Sequence, residues 1–284
     1  MKKTAVIFSV LLLIAALVGC AGSKRVAPRE DDLFGSRAYR HFLNGEMPRA
    51  IEAYKRGYAS ARANDNGIGA ARYLSNIGRA FYELEQADSA ALYFAKAYEE
   101  FKVYKDDRNA ARSAAFLAIC FASAGDDAPA RRWLNTALSS SVSANKKEQR
   151  ENEHYYAVIR GMVDFHLTSK VSNENALEAA AAFYRKNKDH SFLPAIYRLM
   201  ADVEFAKGNC TVALRYLSDA LLSIDESREK YRRSGTLLKM AKINFCAGDH
   251  SAGKHFYERA VDCVAKGTAV PSVEEVSSCS GNCR

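Results

Sequence analysis

Small residues recur through this chain at intervals of 40 positions, and this period limits the fold more than any other feature of the sequence. Ala50, Ala90 and Ala130 are 40 residues apart, and Ala213 and Gly253 repeat the spacing further along. Four more columns keep the same register around these positions, two of them also occupied by small residues. A period of 20 to 50 residues is typical of arrays in which one supersecondary unit stacks on the next.

Each copy of the repeat is predicted to be a pair of antiparallel helices. Alanine is conspicuous, and β-branched residues are sparse outside the N-terminus, which favours helix over strand. The middle column is expected to end the first helix in left-handed backbone geometry, which glycine adopts at little cost. It contains Gly45, Glu85, Gly125, Gly208 and Gly248. The residues expected to cap the second helices are Asp88, Asp127, Asn209 and Asp249.

The spacing leaves room for one degenerate copy between the third repeat and the last two. Ala130 and Ala213 are 83 residues apart, and residues 147–187 must supply the missing unit. Two apolar helical stretches are present there, around Tyr155–Leu167 and Ala176–Tyr184. The sequence therefore predicts an all-α solenoid of about six helix pairs.

The second copy carries the best match to a known repeat, in Leu74-x₂-Ile77-Gly78-x₂-Phe81 followed by Ala90-x₃-Phe94 and Ala97. This pattern resembles the tetratricopeptide repeat family over roughly residues 31–266. The resemblance implies a right-handed superhelix whose concave face is lined by the first helices. The family period is usually 34 residues, so 40 implies longer second helices or longer loops between repeats. Kinesin light chain and bacterial peptide-sensing repeat proteins have similarly extended repeats.

The N-terminus has the features of an export signal. Lys2 and Lys3 precede an apolar run at 5–18, which is too short to cross a bilayer comfortably. The following Leu17-Val18-Gly19-Cys20 resembles the lipobox of bacterial lipoproteins, although an ordinary signal peptide with a chance cysteine remains an alternative. The resemblance implies removal of residues 1–19, lipidation of Cys20 and a flexible tether over 20–30. Ala21, which is not Asp, implies the periplasmic face of the outer membrane in a Gram-negative bacterium.

Six cysteines remain after Cys20, an even number that an oxidising periplasm allows to form disulfides. We hypothesise a bond between Cys210 and Cys246, with Cys263 joined to the tail over 267–284, which is expected to be irregular. Cys120 is expected to be a buried free thiol. The tail holds Cys279 and Cys283, whose spacing suits a small disulfide better than a zinc site, which needs four ligands.

No catalytic motif is present: the sequence lacks H-E-x-x-H, G-x-S-x-G, a P-loop and G-x-G-x-x-G. The six histidines do not cluster in the sequence: only His250 and His255 lie within six residues of each other, and they share no helix face well. We therefore expect no enzyme activity, no metal and no cofactor.

Projecting the tetratricopeptide register onto this chain gives a set of groove candidates. They are Tyr39, Phe42, Arg72, Asn76, Arg79, Tyr82, Arg112, Arg198, Asp202 and Lys242. Asn76 and Arg112 fall at two positions of the family's carboxylate clamp, but Gly35, Tyr39 and Phe116 occupy the others, so the clamp is not reproduced. The stretch from Arg72 to Arg112 suggests a groove for an acidic or C-terminal peptide; the alternative is a solvated basic face.

The function predicted is binding. The formal charge of +8 would suit nucleic acid, but export argues against it and favours an acidic peptide, lipopolysaccharide or phospholipid. The first hypothesis is an envelope scaffold or adaptor for a protein partner, in pilus or secretion machinery, barrel assembly or peptidoglycan hydrolase recruitment. The second is a recognition module for short peptides or cell-wall fragments. The third, less favoured, is an enzyme with an unrecognised site.

Overall fold

The computed structural model describes residues 30–141, 145–227, 231–264 and 270–279, and these contain thirteen helices and no strand. The first six helices are α1 (Glu30–Leu43), α2 (Met47–Ala63), α3 (Gly67–Glu83), α4 (Ala87–Val103), α5 (Asp107–Ser123) and α6 (Asp127–Ser139). The next six are α7 (Lys146–Thr168), α8 (Glu174–Lys186), α9 (Leu193–Ala206), α10 (Cys210–Ser227), α11 (Tyr231–Cys246) and α12 (His250–Asp262). A five-residue helix, α13 (Val273–Ser277), follows. The first twelve pack as the six predicted helix pairs.

The 40-residue period comes from helix length in both halves of the repeat. Helices α2, α3, α4 and α5 each have 17 residues, and three-residue turns join them both within and between pairs. Each turn holds one residue in left-handed geometry, at Gly45, Asp65, Glu85, Lys105 and Gly125. Of the two alternatives, longer second helices or longer loops between repeats, the structure has the longer helices, because both kinds of turn are equally short.

Side-chain caps are found mainly where the sequence did not predict them. Of the four predicted caps, Asp249 accepts a hydrogen bond from the Ala252 N–H at 2.9 Å. Asp88 and Asp127 instead lie inside the first turns of α4 and α6, where a negative charge favours the positive end of the helix dipole. Asn209 donates to the Glu204 carboxylate at 2.7 Å. Asn209 and Asp249 thus lie directly before their second helices, as predicted, and Asp249 caps its helix with the side chain.

The small-residue columns lie where helices approach most closely, as the sequence predicted. A Cβ added at Gly78 would come within 3.0 Å of the Phe94 ring, and one at Gly253 within 2.6 Å of the Phe245 ring. Ala50, Ala90 and Ala130 are fully buried. Close approach of this kind requires the absence of a side chain, so the period of small residues records the packing distance between helices.

The degenerate fourth copy forms a pair of unequal helices. Helix α7 has 23 residues and α8 has 13, and they contain the two apolar stretches predicted for this copy. Asn145 caps α7 and Asn173 caps α8, and Ser169 ends α7 in left-handed geometry. The linkers on either side of α8 are longer than the three-residue turns, so this pair departs from the regular array.

The first and last pairs of the array touch each other. The ring of Phe42 in α1 lies 4.7 Å, centroid to centroid, from the ring of Tyr231 in α11. A Cβ at Gly45 would contact Tyr231 at 3.7 Å. The solenoid therefore closes on itself, and we call this contact between Phe42, Gly45 and Tyr231 the closure contact.

The tail contains α13, which corrects the expectation of an irregular segment. Ser272 and Glu275 form a capping box at its start, and Val276 is buried against Ala241 and Phe245. The Tyr257 hydroxyl donates to the Pro271 carbonyl at 2.9 Å. The motif Ser-x-x-Glu was readable in the sequence as a helix start.

The cysteine pairing also differs from the hypothesis. Cys246 is bonded to Cys279, with a Cα–Cα distance of 5.3 Å, because the docking of α13 brings the tail to the end of α11. Cys210 is disulfide-bonded too, and its partner is not Cys246. Cys263 is free and exposed, whereas Cys120 is a buried free thiol as predicted. Cys20 and Cys283 lie outside the described residues, as does the predicted signal peptide.

Candidate ligand-binding cavity

A cavity of about 1210 Å³ lies on the concave side of the closed array. Its wall takes side chains from the first helix of every pair, α1, α3, α5, α7, α9 and α11. First helices supply most of the wall, as the tetratricopeptide resemblance implied, and second helices add a few residues such as Met47, Phe101 and Tyr184. The closure contact joins the two ends of this wall.

Most of the predicted groove residues line this cavity. They are Tyr39, Arg72, Asn76, Arg79, Tyr82, Arg112, Arg198 and Asp202. Lys242 is exposed outside it, because the cavity reaches only the first half of α11, where Lys239 is the lysine that faces inward. Phe42 is almost fully buried and belongs to the core and the closure contact. A role of these residues in binding stays a prediction.

Four arginines in the wall have no ionic partner among the described residues. No carboxylate oxygen described by the structure lies within 4.0 Å of Arg72, Arg79, Arg112 or Arg198. Arg79 lies over the Phe42 ring at 5.2 Å, and Arg112 lies over the Tyr155 ring at 5.6 Å. Aromatic faces attract a cation without neutralising its charge, so the guanidinium groups keep donors free for an anion.

The arginines influence tyrosines on neighbouring and opposite walls. Burial raises the pKa of Tyr155, and the charges of Arg112 and Arg79 oppose that rise. Burial likewise raises the pKa of Tyr82 in α3, and the charges of Arg198 and Arg232, from α9 and α11, lower it. Helices far apart in sequence therefore place positive charge around the same interior space.

One half-buried ion pair lies in the wall. The ammonium group of Lys239 in α11 contacts the carboxylate of Asp202 in α9. Burial lowers the pKa of Lys239, while the adjacent Asp202 raises it. Burial and the Lys239 charge also lower the pKa of His166. Lys239 and Asp202 thus pair with each other, and neither forms an ion pair with the four arginines.

Aromatic side chains form the remaining surface on the irregular side of the array. The Phe192 ring stacks on Tyr155 at 5.2 Å and meets the edge of Tyr184 at 5.4 Å. A smaller cavity of about 330 Å³ adjoins the main one and shares Arg112, Tyr155 and Tyr184 with it. This side pocket could not be predicted from the sequence, because the pocket depends on how the degenerate fourth pair departs from the repeat.

Within the residues described, no three His, Cys, Asp or Glu side chains gather closely enough to hold a metal ion. In the same part of the chain, no helix has the length and hydrophobicity needed to cross a membrane. The wall presents positive charge, amide groups and aromatic rings, which are groups suited to binding.

Solved structures with this fold include Rap proteins, which are tetratricopeptide-like helical-repeat proteins. A Rap protein complexed with competence and sporulation factor is 14% identical, covers 82% of this chain and 74% of its own, and superposes with a TM-score of 0.61. The apo form of RapI is 16% identical, covers 82% of this chain and 97% of its own, with a TM-score of 0.50. No protein-family model and no curated protein matches the sequence. The likeness establishes an α-solenoid fold.

Proposed function

We propose that this protein is a binding protein whose central cavity receives a short peptide. The observation that carries the proposal is the concave cavity, lined by the first helix of every pair and about 1210 Å³ in volume. Pockets for small molecules span roughly 300–1,000 Å³, so this one has room for several amino-acid residues. A concave solenoid surface is the usual binding face of repeat proteins.

The wall chemistry supports a peptide in particular. The half-buried Asn76 has no side-chain hydrogen bond to any described residue, so its amide is available to a peptide backbone. Tyr155 and Phe192 offer flat surfaces to side chains. The Rap protein of the same fold was crystallised with competence and sporulation factor, which supports a binding role for the architecture.

Selection from a displayed library of random heptapeptides tests this proposal. We expect the purified chain to enrich peptides that then bind it in solution. Ser75 is half-buried and lines the cavity, so Ser75→Trp should fill part of the space and weaken binding at least 10-fold. Ser218 is exposed on α10, and Ser218→Trp is the matched control that should bind as the parent does. Equal binding by both variants would contradict a ligand in the cavity.

The compartment is the second part of the proposal. We propose that Cys20 is lipidated and tethers the protein to the periplasmic face of the outer membrane, where a cell-envelope protein supplies the peptide and the chain acts as an adaptor. The lipobox-like Leu17-Val18-Gly19-Cys20 supports the anchor. The Cys246–Cys279 disulfide supports an oxidising compartment.

Metabolic labelling with an alkyne-tagged fatty acid in a Gram-negative host tests the anchor. The parent chain and a Cys263→Ser control should take up the label and fractionate with the outer membrane. Cys20→Ser should lose the label. Labelling that survives in Cys20→Ser, or a parent chain without label, would exclude lipidation at Cys20.

A further inference from the structure

The arginines in the cavity differ from those on the outer surface in their ion pairs. Outside, Arg56 pairs with Glu52 at 2.5 Å and Arg131 pairs with Asp127 at 2.6 Å. Inside, Arg79, Arg112 and Arg198 have no carboxylate within 4.0 Å among the described residues. A positive group that gains a neighbouring negative charge is stabilised more strongly where water is partly excluded. The cavity therefore holds three arginines that form no direct ion pair with its own acidic residues.

The three arginines come from three separate repeats. Arg79 is in α3, Arg112 in α5 and Arg198 in α9, and all three line the same space. Arg79 and Arg112 both act on Tyr155, while Arg198 acts on Tyr82, which is one helical turn from Arg79. An occupant in the middle of the cavity would thus meet guanidinium groups from more than one side.

We propose that Arg79, Arg112 and Arg198 form an anion-binding centre that selects an acidic peptide, with at least two carboxylates held by arginines of different repeats. This inference rests on the proposed function, because it specifies the ligand of the same cavity. The tetratricopeptide carboxylate clamp is not its basis, since Gly35, Tyr39 and Phe116 replace three of the clamp residues. Guanidinium groups bind carboxylates through two parallel hydrogen bonds, which gives directional recognition as well as attraction.

Four acidic side chains line the cavity, Glu83, Glu85, Asp189 and Asp202, and among the described residues none of them lies within 4.0 Å of these arginines. Asp202 is engaged by Lys239. Asp189 accepts hydrogen bonds from the Ser191 N–H at 3.2 Å and from its hydroxyl at 2.6 Å. A ligand carboxylate would therefore find the arginine donors unoccupied by these two side chains. The aromatic surface of Tyr155 and Phe192 adjoins Arg112, so a peptide with an apolar or aromatic residue beside an acidic one fits best.

The experiment compares selected peptides for three proteins. The parent chain should enrich heptapeptides rich in Asp and Glu. The triple variant Arg79→Gln/Arg112→Gln/Arg198→Gln should bind the best acidic peptide at least 100-fold more weakly and should lose the preference for acidic residues. The matched control Arg56→Gln/Arg62→Gln/Arg131→Gln removes the same charge from the outer surface and should bind within about 3-fold of the parent. Raising the salt concentration should weaken the parent's binding far more than the triple variant's.

The possible outcomes separate this inference from the proposed function. If the parent chain enriches neutral or basic peptides, and Ser75→Trp weakens their binding, the anion centre is overturned and the peptide-binding proposal stands. If the parent chain enriches no more peptide than the Ser75→Trp variant does, both the anion centre and the peptide-binding proposal are overturned. A loss of binding in the outer-surface control equal to that of the triple variant would show a general charge effect and overturn the centre. If the triple variant does not fold, each single Arg→Gln variant, checked by circular dichroism, should weaken the acidic peptide at least 5-fold.

Discussion

At the scale of the residue, the turns show which positions the backbone constrains. Gly45 and Gly125 have φ values of 80° and 82°, and glycine accepts this geometry freely. Glu85 and Lys105 adopt φ values of 58° and 56° in the same turn, which costs an L-residue about 1 kcal/mol. The turn persists because the next N–H bonds to the carbonyl five residues earlier, as Asp106 does to Phe101 at 2.9 Å. A residue's position in the repeat therefore outweighs its own preference.

Replacing Lys105 with glycine should stabilise the protein. Lys105→Gly relieves the left-handed strain and should raise the free energy of unfolding by about 0.5–1 kcal/mol. Lys96 lies on the solvent-exposed side in the middle of α4. Lys96→Gly should therefore lower the free energy of unfolding by about 1 kcal/mol. Urea denaturation of the two variants measures whether the free energy of unfolding rises in Lys105→Gly and falls in Lys96→Gly. A destabilised Lys105→Gly would contradict this account of the turn.

At the scale of the element, packing depends on positions without a side chain. A Cβ at Gly57 in α2 would lie 2.5 Å from the ring of Tyr73 in α3, and that ring is almost completely buried. Gly235 in α11 has more room, since the nearest atom to its Cβ site is the end of the Arg198 side chain at 3.4 Å. The same residue type therefore has a packing role in one helix and not in the other.

The two glycines should respond to alanine in opposite directions. Gly57→Ala should lower the free energy of unfolding by about 1–3 kcal/mol, because the buried Tyr73 ring must move. Gly235→Ala should raise it by about 0.5–1 kcal/mol through better helix propensity. Thermal unfolding followed by circular dichroism measures the difference. Equal effects would show that the close contact at Gly57 is easily relieved.

The last element, α13, is held to the array by both packing and a covalent bond. Val276 packs into the apolar cluster of α11, and the Cys246–Cys279 bond follows directly after the helix. A helix of five residues has too few internal hydrogen bonds to be stable alone. Its structure therefore depends on the repeat beneath it.

Removing this disulfide should destabilise the C-terminal end. The bond joins residues 33 positions apart, and Cys279→Ser should lower the free energy of unfolding by about 4 kcal/mol on the chain-entropy model. Cys263 is free and exposed, so Cys263→Ser should change it by less than about 0.5 kcal/mol. Denaturation without reductant is the measurement. A stable Cys279→Ser chain would mean that packing alone holds α13.

At the scale of the whole molecule, closure converts a groove into a cavity. The contact of Phe42 with Tyr231 joins α1 to α11, and Arg79 lies over the same Phe42 ring. Each repeat contacts mainly its neighbours in a solenoid, so we expect a contact between the first and last pairs to constrain the curvature of the array.

Truncating Tyr231 should open the array. Tyr231→Ala removes the ring that faces Phe42 and should increase the radius of gyration measured by small-angle X-ray scattering, while the helical circular dichroism signal is retained. Tyr216 is half-buried against Tyr197 in the fifth pair, and Tyr216→Ala is the matched control that should leave the radius unchanged. An unchanged radius in Tyr231→Ala would show that packing within the repeats sets the curvature without the closure contact.

The helix pairs and the inward faces of the first helices could be predicted from the amino-acid sequence. Ala50, Ala90 and Ala130 report a packing distance that acts within one repeat, and the same register placed Arg79, Arg112 and Arg198 on the concave side. These features depend on neighbours within about one repeat length, where periodicity and backbone preference dominate.

The closure contact, the position of Lys239 in the cavity and the Cys246–Cys279 disulfide could be identified only in the folded structure. Lys239 rather than Lys242 faces the cavity because the interior space ends halfway along α11. Cys246 bonds to Cys279 because α13 docks beside it. Such contacts join parts of the chain that are distant in sequence, and their geometry is the accumulated rotation of all the repeats between them, including the irregular fourth pair, which no local pattern records.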